Sequence, residues 1–225
     1  MILQLLSFFS IFTGTIYYCH YQHEYIKKKT NYSIEITQAI TLIIHDVYLF
    51  ILANLYLFKY ISSYSFLNSN AVCMGYMTYD IYLQLLIKNK YQIIFHHLIM
   101  IGTYFTLFII NCGILPQSKE DLYIYVAQTS LCEISSFFLD ACYIMYKLNY
   151  DKNIIFKFMY IMLLITYFIS RLINFPYIAY LMYNNGDIYY GGFQISLLTI
   201  LSYYWFYLLY KRFIESLKIN NKKNN

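Results

Sequence analysis

Charge is what this chain has least of. Asp, Glu, Lys and Arg make up only 12% of its 225 residues, about half the usual share of a soluble domain. That leaves too little polar surface to cover a globule in water. Disorder is excluded as well, because 60% of the residues are hydrophobic and 22% aromatic, the reverse of a disordered composition. Two prolines and seven glycines complete the scarcities. Five cysteines show no C-x-x-C spacing, and four lie in or beside apolar runs. Neither a disulfide framework nor a zinc site is expected from such spacing. The net charge of +5 comes from short basic clusters between apolar runs rather than a stripe with interleaved aromatics, so nucleic acid is not an expected partner.

What is present is a series of long apolar runs. A membrane-spanning helix needs about 20 mostly apolar residues. Seven runs qualify, at about 2–19, 34–58, 70–87, 92–112, 122–146, 155–183 and 189–210. They are too long and continuous for barrel strands. The first lacks a preceding basic residue and a following cleavage-like site, so it reads as a retained span. The expected fold is therefore an all-α, polytopic membrane bundle of about seven helices. It divides into a first span with a basic loop (1–34), the main transmembrane domain (35–210) and a basic tail (211–225). Thirteen of the 16 Lys and Arg fall on one side of this pattern. By the positive-inside rule the N-terminus is expected to be lumenal or external and the C-terminus cytosolic.

The spans also carry residues that lipid does not tolerate. Asp46, Asp80, Glu133, Asp140 and Arg171 lie within them, each costing ~2.5–3.5 kcal/mol at the bilayer centre. His45, His96 and His97 join them. At ~1.5 Å rise per residue, His45, Asp46, Glu133 and Arg171 share a layer near the middle. His96, His97, Asp80 and Asp140 form a second layer nearer the cytosolic end. Helical spacing aligns Thr129, Glu133, Ser136 and Asp140 on one face, Gln38, Thr41, His45 and Tyr48 on another, and Tyr167, Arg171 and Asn174 on a third. Such faces belong inside a bundle or along a water-filled cavity. Glu133 with Arg171 reads either as a structural ion pair or as a substrate-facing pair. His96 and His97 read either as interfacial histidines or as partners of Asp80 and Asp140. Pro176 is expected to kink the sixth span.

These residues carry a family resemblance. GYMTYD with Asp80, FHHLIMIGTYF with His96 and His97, EISSFFL with Glu133 and Ser136, and SRLINFP with Arg171 and Asn174 occur in that order. Together with His45 in an early span, they resemble the TLC (TRAM–Lag–CLN) domain family, over about residues 35–210. The likeness is nearest to the small TLC domain-containing transmembrane proteins. It implies a multi-pass protein of the endoplasmic reticulum that binds or senses membrane lipid, with no resident cofactor. Ceramide synthases of the same family pair the two histidines with a later D-x-x-D. Here Glu133 and Ser136 stand at those acids. If the chain were such an N-acyltransferase, His96 and His97 would be catalytic and acyl-coenzyme A a substrate.

The sequence ends in Lys222-Lys223-Asn224-Asn225, which looks like a dilysine retrieval signal read by coat proteins on the cytosolic side. A third reading follows from it, a cargo adaptor cycling between endoplasmic reticulum and Golgi.

Overall fold

The structure is a computed structural model that describes residues 2–87, 91–112 and 119–223. Among these residues every regular element is helical. They are α1 (Ile2–Thr30), α2 (Ile34–Leu57), α3 (Ser63–Ile87), α4 (Tyr91–Asn111), α5 (Lys119–Ser130), α6 (Glu133–Lys147), α7 (Ile154–Tyr167), α8 (Asn174–Asn184) and α9 (Ile188–Lys223). A π-helical turn, Phe168–Ile173, joins α7 to α8. Because α5 runs into α6 and α7 into α8, the elements form seven rods. Five are long and apolar enough to cross a membrane: Ile34–Leu57, Tyr91–Asn111, Asp121–Lys147, Ile154–Asn184 and Gly191–Glu215. The protein is a polytopic α-helical membrane protein.

The rods end where local chemistry dictates. Ser33 Oγ accepts from the Ile36 N–H and Asn153 Oδ1 from the Ile155 N–H, each satisfying a donor with no helical partner. Lys59, Asn149 and Gly186 have positive φ after α2, α6 and α8. At each, an N–H one residue further on bonds back five residues, as Tyr60 does to Leu55, Tyr150 to Met145 and Asp187 to Met182. These are Schellman closures, which turn the chain sharply while pairing the last carbonyls.

Six rods close a ring. α2 packs on α3, α3 on α4, α4 on α9, and α9 on α8 and the π turn. The α7–α8 rod then packs on α5–α6, which returns to α2. α1 lies outside the ring, mainly against α3. That contact is close because Gly75 has no side chain. A Cβ there would stand 2.6 Å from the Phe12 carbonyl oxygen and 2.9 Å from Thr15 Cβ. Small residues permit this approach of backbones in membrane bundles.

Several sequence boundaries need correction. α3 starts at Ser63 rather than about 70, and α1 and α9 continue past their apolar runs to Thr30 and Lys223. Neither α1 nor α3 is among the five rods that qualify by length and apolarity. The fifth run is not one helix, because at Leu131 and Cys132 the bonding tightens. Leu131 bonds to Gln128, Cys132 to Thr129 and Ser135 to Cys132, all three residues apart. On the facing rod the backbone widens instead. Pro176 has no N–H for the Leu172 carbonyl and its ring crowds that oxygen, and the Asn174 N–H bonds back to Ile169. The proline expected to kink the helix thus produces a π turn. The two interruptions face each other, as Asn174 Nδ2 donates to the Gln128 carbonyl over 2.8 Å. Irregular backbone at membrane depth survives where protein groups restore its bonds.

Candidate functional site

The ring turns a series of polar side chains inward, and they form two groups. The first centres on Asp80 of α3, which is 1% exposed. Gln38 of α2 donates from Nε2 to Asp80 Oδ1. His97 of α4 places Nδ1 3.1 Å from Asp80 Oδ2, out of line for a hydrogen bond, so both atoms keep unmet bonding capacity. His45 of α2 stacks on Tyr76 at 3.6 Å between ring centroids. Its Nε2 is buried without a partner. His96 turns away from Asp80, meeting Trp205 of α9 edge-on at 5.4 Å, with its Nδ1 also buried and unpartnered. The divergence follows from helical geometry, since adjacent residues point ~100° apart.

The second group centres on Arg171 in the π turn, 3% exposed. Its Nε donates to Ser135 Oγ at 2.9 Å and its Nη2 to Ser136 Oγ at 2.8 Å. The guanidinium lies 5.1 Å from the Tyr167 ring centroid, a cation–π contact. Nη1 is buried with no partner. Glu133 forms no ion pair with Arg171. Its Oε1 accepts a weak bond from Cys132 Sγ at 3.6 Å. The expected Glu133–Arg171 pair is therefore replaced by an arginine–diserine clamp. Glu133 is the first residue of α6, beside the break at Leu131 and Cys132, whereas Ser135 and Ser136 in the turn that follows present their hydroxyls to the guanidinium. Glu133 and Asp46 remain within electrostatic reach of the guanidinium.

Asp140 also departs from expectation. Its neighbour is Asp46 rather than the histidines, because α2 packs along α6. Asn174 does not point at the polar groups but ties α8 to α5 through Gln128. Lys222 and Lys223 close α9, and their side chains, with residues 224–225, lie outside the described residues. Lys88 and Lys90 lie outside them too.

Sequence reasoning missed Ser135 as an Arg171 acceptor and Gln38 as the Asp80 donor. It missed Tyr76 and Trp205 as the histidines' ring partners. Gln38 was visible on a polar face, but its partner depends on which helices adjoin. Among the described residues no cluster of three or more His, Cys, Asp or Glu is arranged to hold a metal ion. Beyond the interruptions the interior turns apolar. A cavity of about 40 Å³ there is lined by Leu107, Ile110, Thr129, Ile178, Met182 and Leu198, among others.

A closed ring of helices with a polar interior toward one end and an apolar one toward the other defines a membrane protein with an internal amphipathic site. No family model, no curated protein and no solved structure matches the chain.

Proposed function

We propose that this protein binds a membrane lipid inside the ring and through it contributes to membrane lipid homeostasis. One observation carries the reading. His45, Asp46, Asp80, His96, His97 and Arg171, from four different stretches of helix, each bury a polar atom with unmet hydrogen-bonding capacity. Such atoms are costly in a finished core, and a polar headgroup meets them. The apolar cavity on the far side of the helix interruptions suits the end of an aliphatic chain. In this reading α1 and α3 cross the membrane with the five apolar rods, α3 as a wall of the ring and α1 as its outer cover. The described basic clusters Lys27–Lys29, Lys147–Lys157 and Lys211–Arg212 gather at one end, which supports a cytosolic C-terminus and a lumenal N-terminus. The endoplasmic reticulum as compartment rests on the resemblance to TLC-domain proteins.

Purified protein extracted from membranes should carry lipid at a fixed stoichiometry, counted by mass spectrometry. His97→Ala and Asp80→Asn should lose most of it while remaining folded. Equal lipid in all three forms would remove the reading. A second reading, transfer of an acyl group from acyl-coenzyme A to a lipid amine, is favoured by the His97–Asp80 approach. There the amine nitrogen bonds to the thioester carbon, the C–S bond breaks, coenzyme A leaves as thiolate and His97 takes the amine proton. Incubation with a sphingoid base and acyl-coenzyme A tests it through release of free thiol.

A further inference from the structure

The polar interior is ringed by helices, so its ligand needs a way in, and one seam differs from the rest. Where α4 meets α9, Gln92 and Trp205 are joined across the outer surface by a single bond, from Trp205 Nε1 to Gln92 Oε1 at 3.3 Å. Gln92 is exposed and Trp205 half-buried. Phe95 and Leu98 on α4 and Tyr203 and Tyr204 on α9 are all exposed, so this side of the bundle faces outward. The inner edge of the indole meets the His96 ring. It also packs against the cluster of Leu163, Tyr167 and Leu172, and Tyr167 carries the Arg171 guanidinium on its face. Trp205 therefore stands between the outside of the bundle and His96, whose buried Nδ1 is unpartnered, and beside Tyr167, behind which lies the unpartnered Arg171 Nη1.

We propose that Trp205, latched by Gln92, gates a lateral portal between α4 and α9 through which a lipid headgroup passes from the bilayer to His96 and Arg171. The proposal rests on the lipid-binding reading above and adds the route. An indole suits the place, because its amphipathic ring is at home at headgroup level. A long bond to an exposed amide is also easily exchanged for one to water or to a passing headgroup.

The test needs no identified ligand. In nanodiscs, diethyl pyrocarbonate modifies accessible imidazoles, and mass spectrometry gives a rate for each histidine. In Trp205→Ala the His96 rate should rise about tenfold over the native protein, with a smaller rise in Gln92→Ala, which keeps the ring and removes the latch. His45, buried against Tyr76 on the far side, should keep its native rate in both. An unchanged His96 rate in both variants overturns the gate. So does a parallel rise at His45, which would mark Trp205 as ordinary packing. Failure of the broader reading shows elsewhere, as unchanged bound lipid in His97→Ala. Loss of lipid there with no change at His96 here would sink the portal alone.

Discussion

A guanidinium held by two serine hydroxyls, with the Glu133 and Asp46 carboxyls in electrostatic reach and neither forming an ion pair with it, sets the energetics of the middle layer. Hydrogen bonds to charged groups are worth about 1.5–3 kcal/mol, so Ser136→Ala should destabilise by that order, seen as a lower midpoint of thermal unfolding in detergent. Arg171→Lys should cost at least as much, because an ammonium cannot reproduce a planar fork aimed at two acceptors. Glu133→Gln should cost less than either, since Glu133 makes no ion pair. Were Glu133→Gln the most damaging of the three, the diserine clamp would be the wrong description. The need for Arg171 to be satisfied internally was legible in the sequence. Its acceptors were not, because the Glu133 carboxylate and the Ser135 and Ser136 hydroxyls, two and three residues on, are told apart only by the local turn of the helix. Asp80 was legible as needing an internal partner because its short side chain stands too deep to reach a headgroup, and His97 was one of the two histidines open to that role.

At the scale of the element, two glycines separate packing from propensity. Gly75→Ala places a methyl 2.6 Å from the Phe12 carbonyl oxygen, so α1 must move off α3, an overpacking cost of typically 1–3 kcal/mol. Gly14→Ala meets nothing within 4 Å and should be neutral or slightly stabilising. Thermal unfolding of the two variants side by side checks both. Pro176→Ala should act differently. It restores a donor for the Leu172 carbonyl, lets the π turn relax to α-helix and rotates Arg171 by about 100°. Because that breaks the Ser135 and Ser136 bonds, the midpoint of thermal unfolding should fall, and bound lipid per folded molecule with it. Bound lipid unchanged from the native protein would mean that the π turn does not position the site. Pro176 announced its interruption in the sequence. The facing break at Leu131 and Cys132 has no proline or glycine to announce it and depends on bonds from Arg171 and Asn174 across the rod interface.

For the whole molecule, the seven rods were legible because each run is apolar and bounded by polar turns. Which rods adjoin was not, because lipid-facing and ring-facing helices share one composition. Alternation of the rods puts Asn31 and Asn149 at one end of the bundle and Asn185 at the other. Single cysteines at these positions, in a background without native thiols, should react with an impermeant maleimide from opposite faces of sealed vesicles. Labelling of all three from one face would break the span count. The most direct test of the proposed internal lipid site is a photoactivatable phospholipid with a diazirine beside its headgroup, cross-linked in the native membrane and mapped by peptide mass spectrometry. The account predicts adducts on the inward residues around Gln38, His45, His97 and Ser136, lost in His97→Ala. Adducts confined to outward residues such as Ile161, Ile165 and Ile200, and unaffected by His97→Ala, would contradict it.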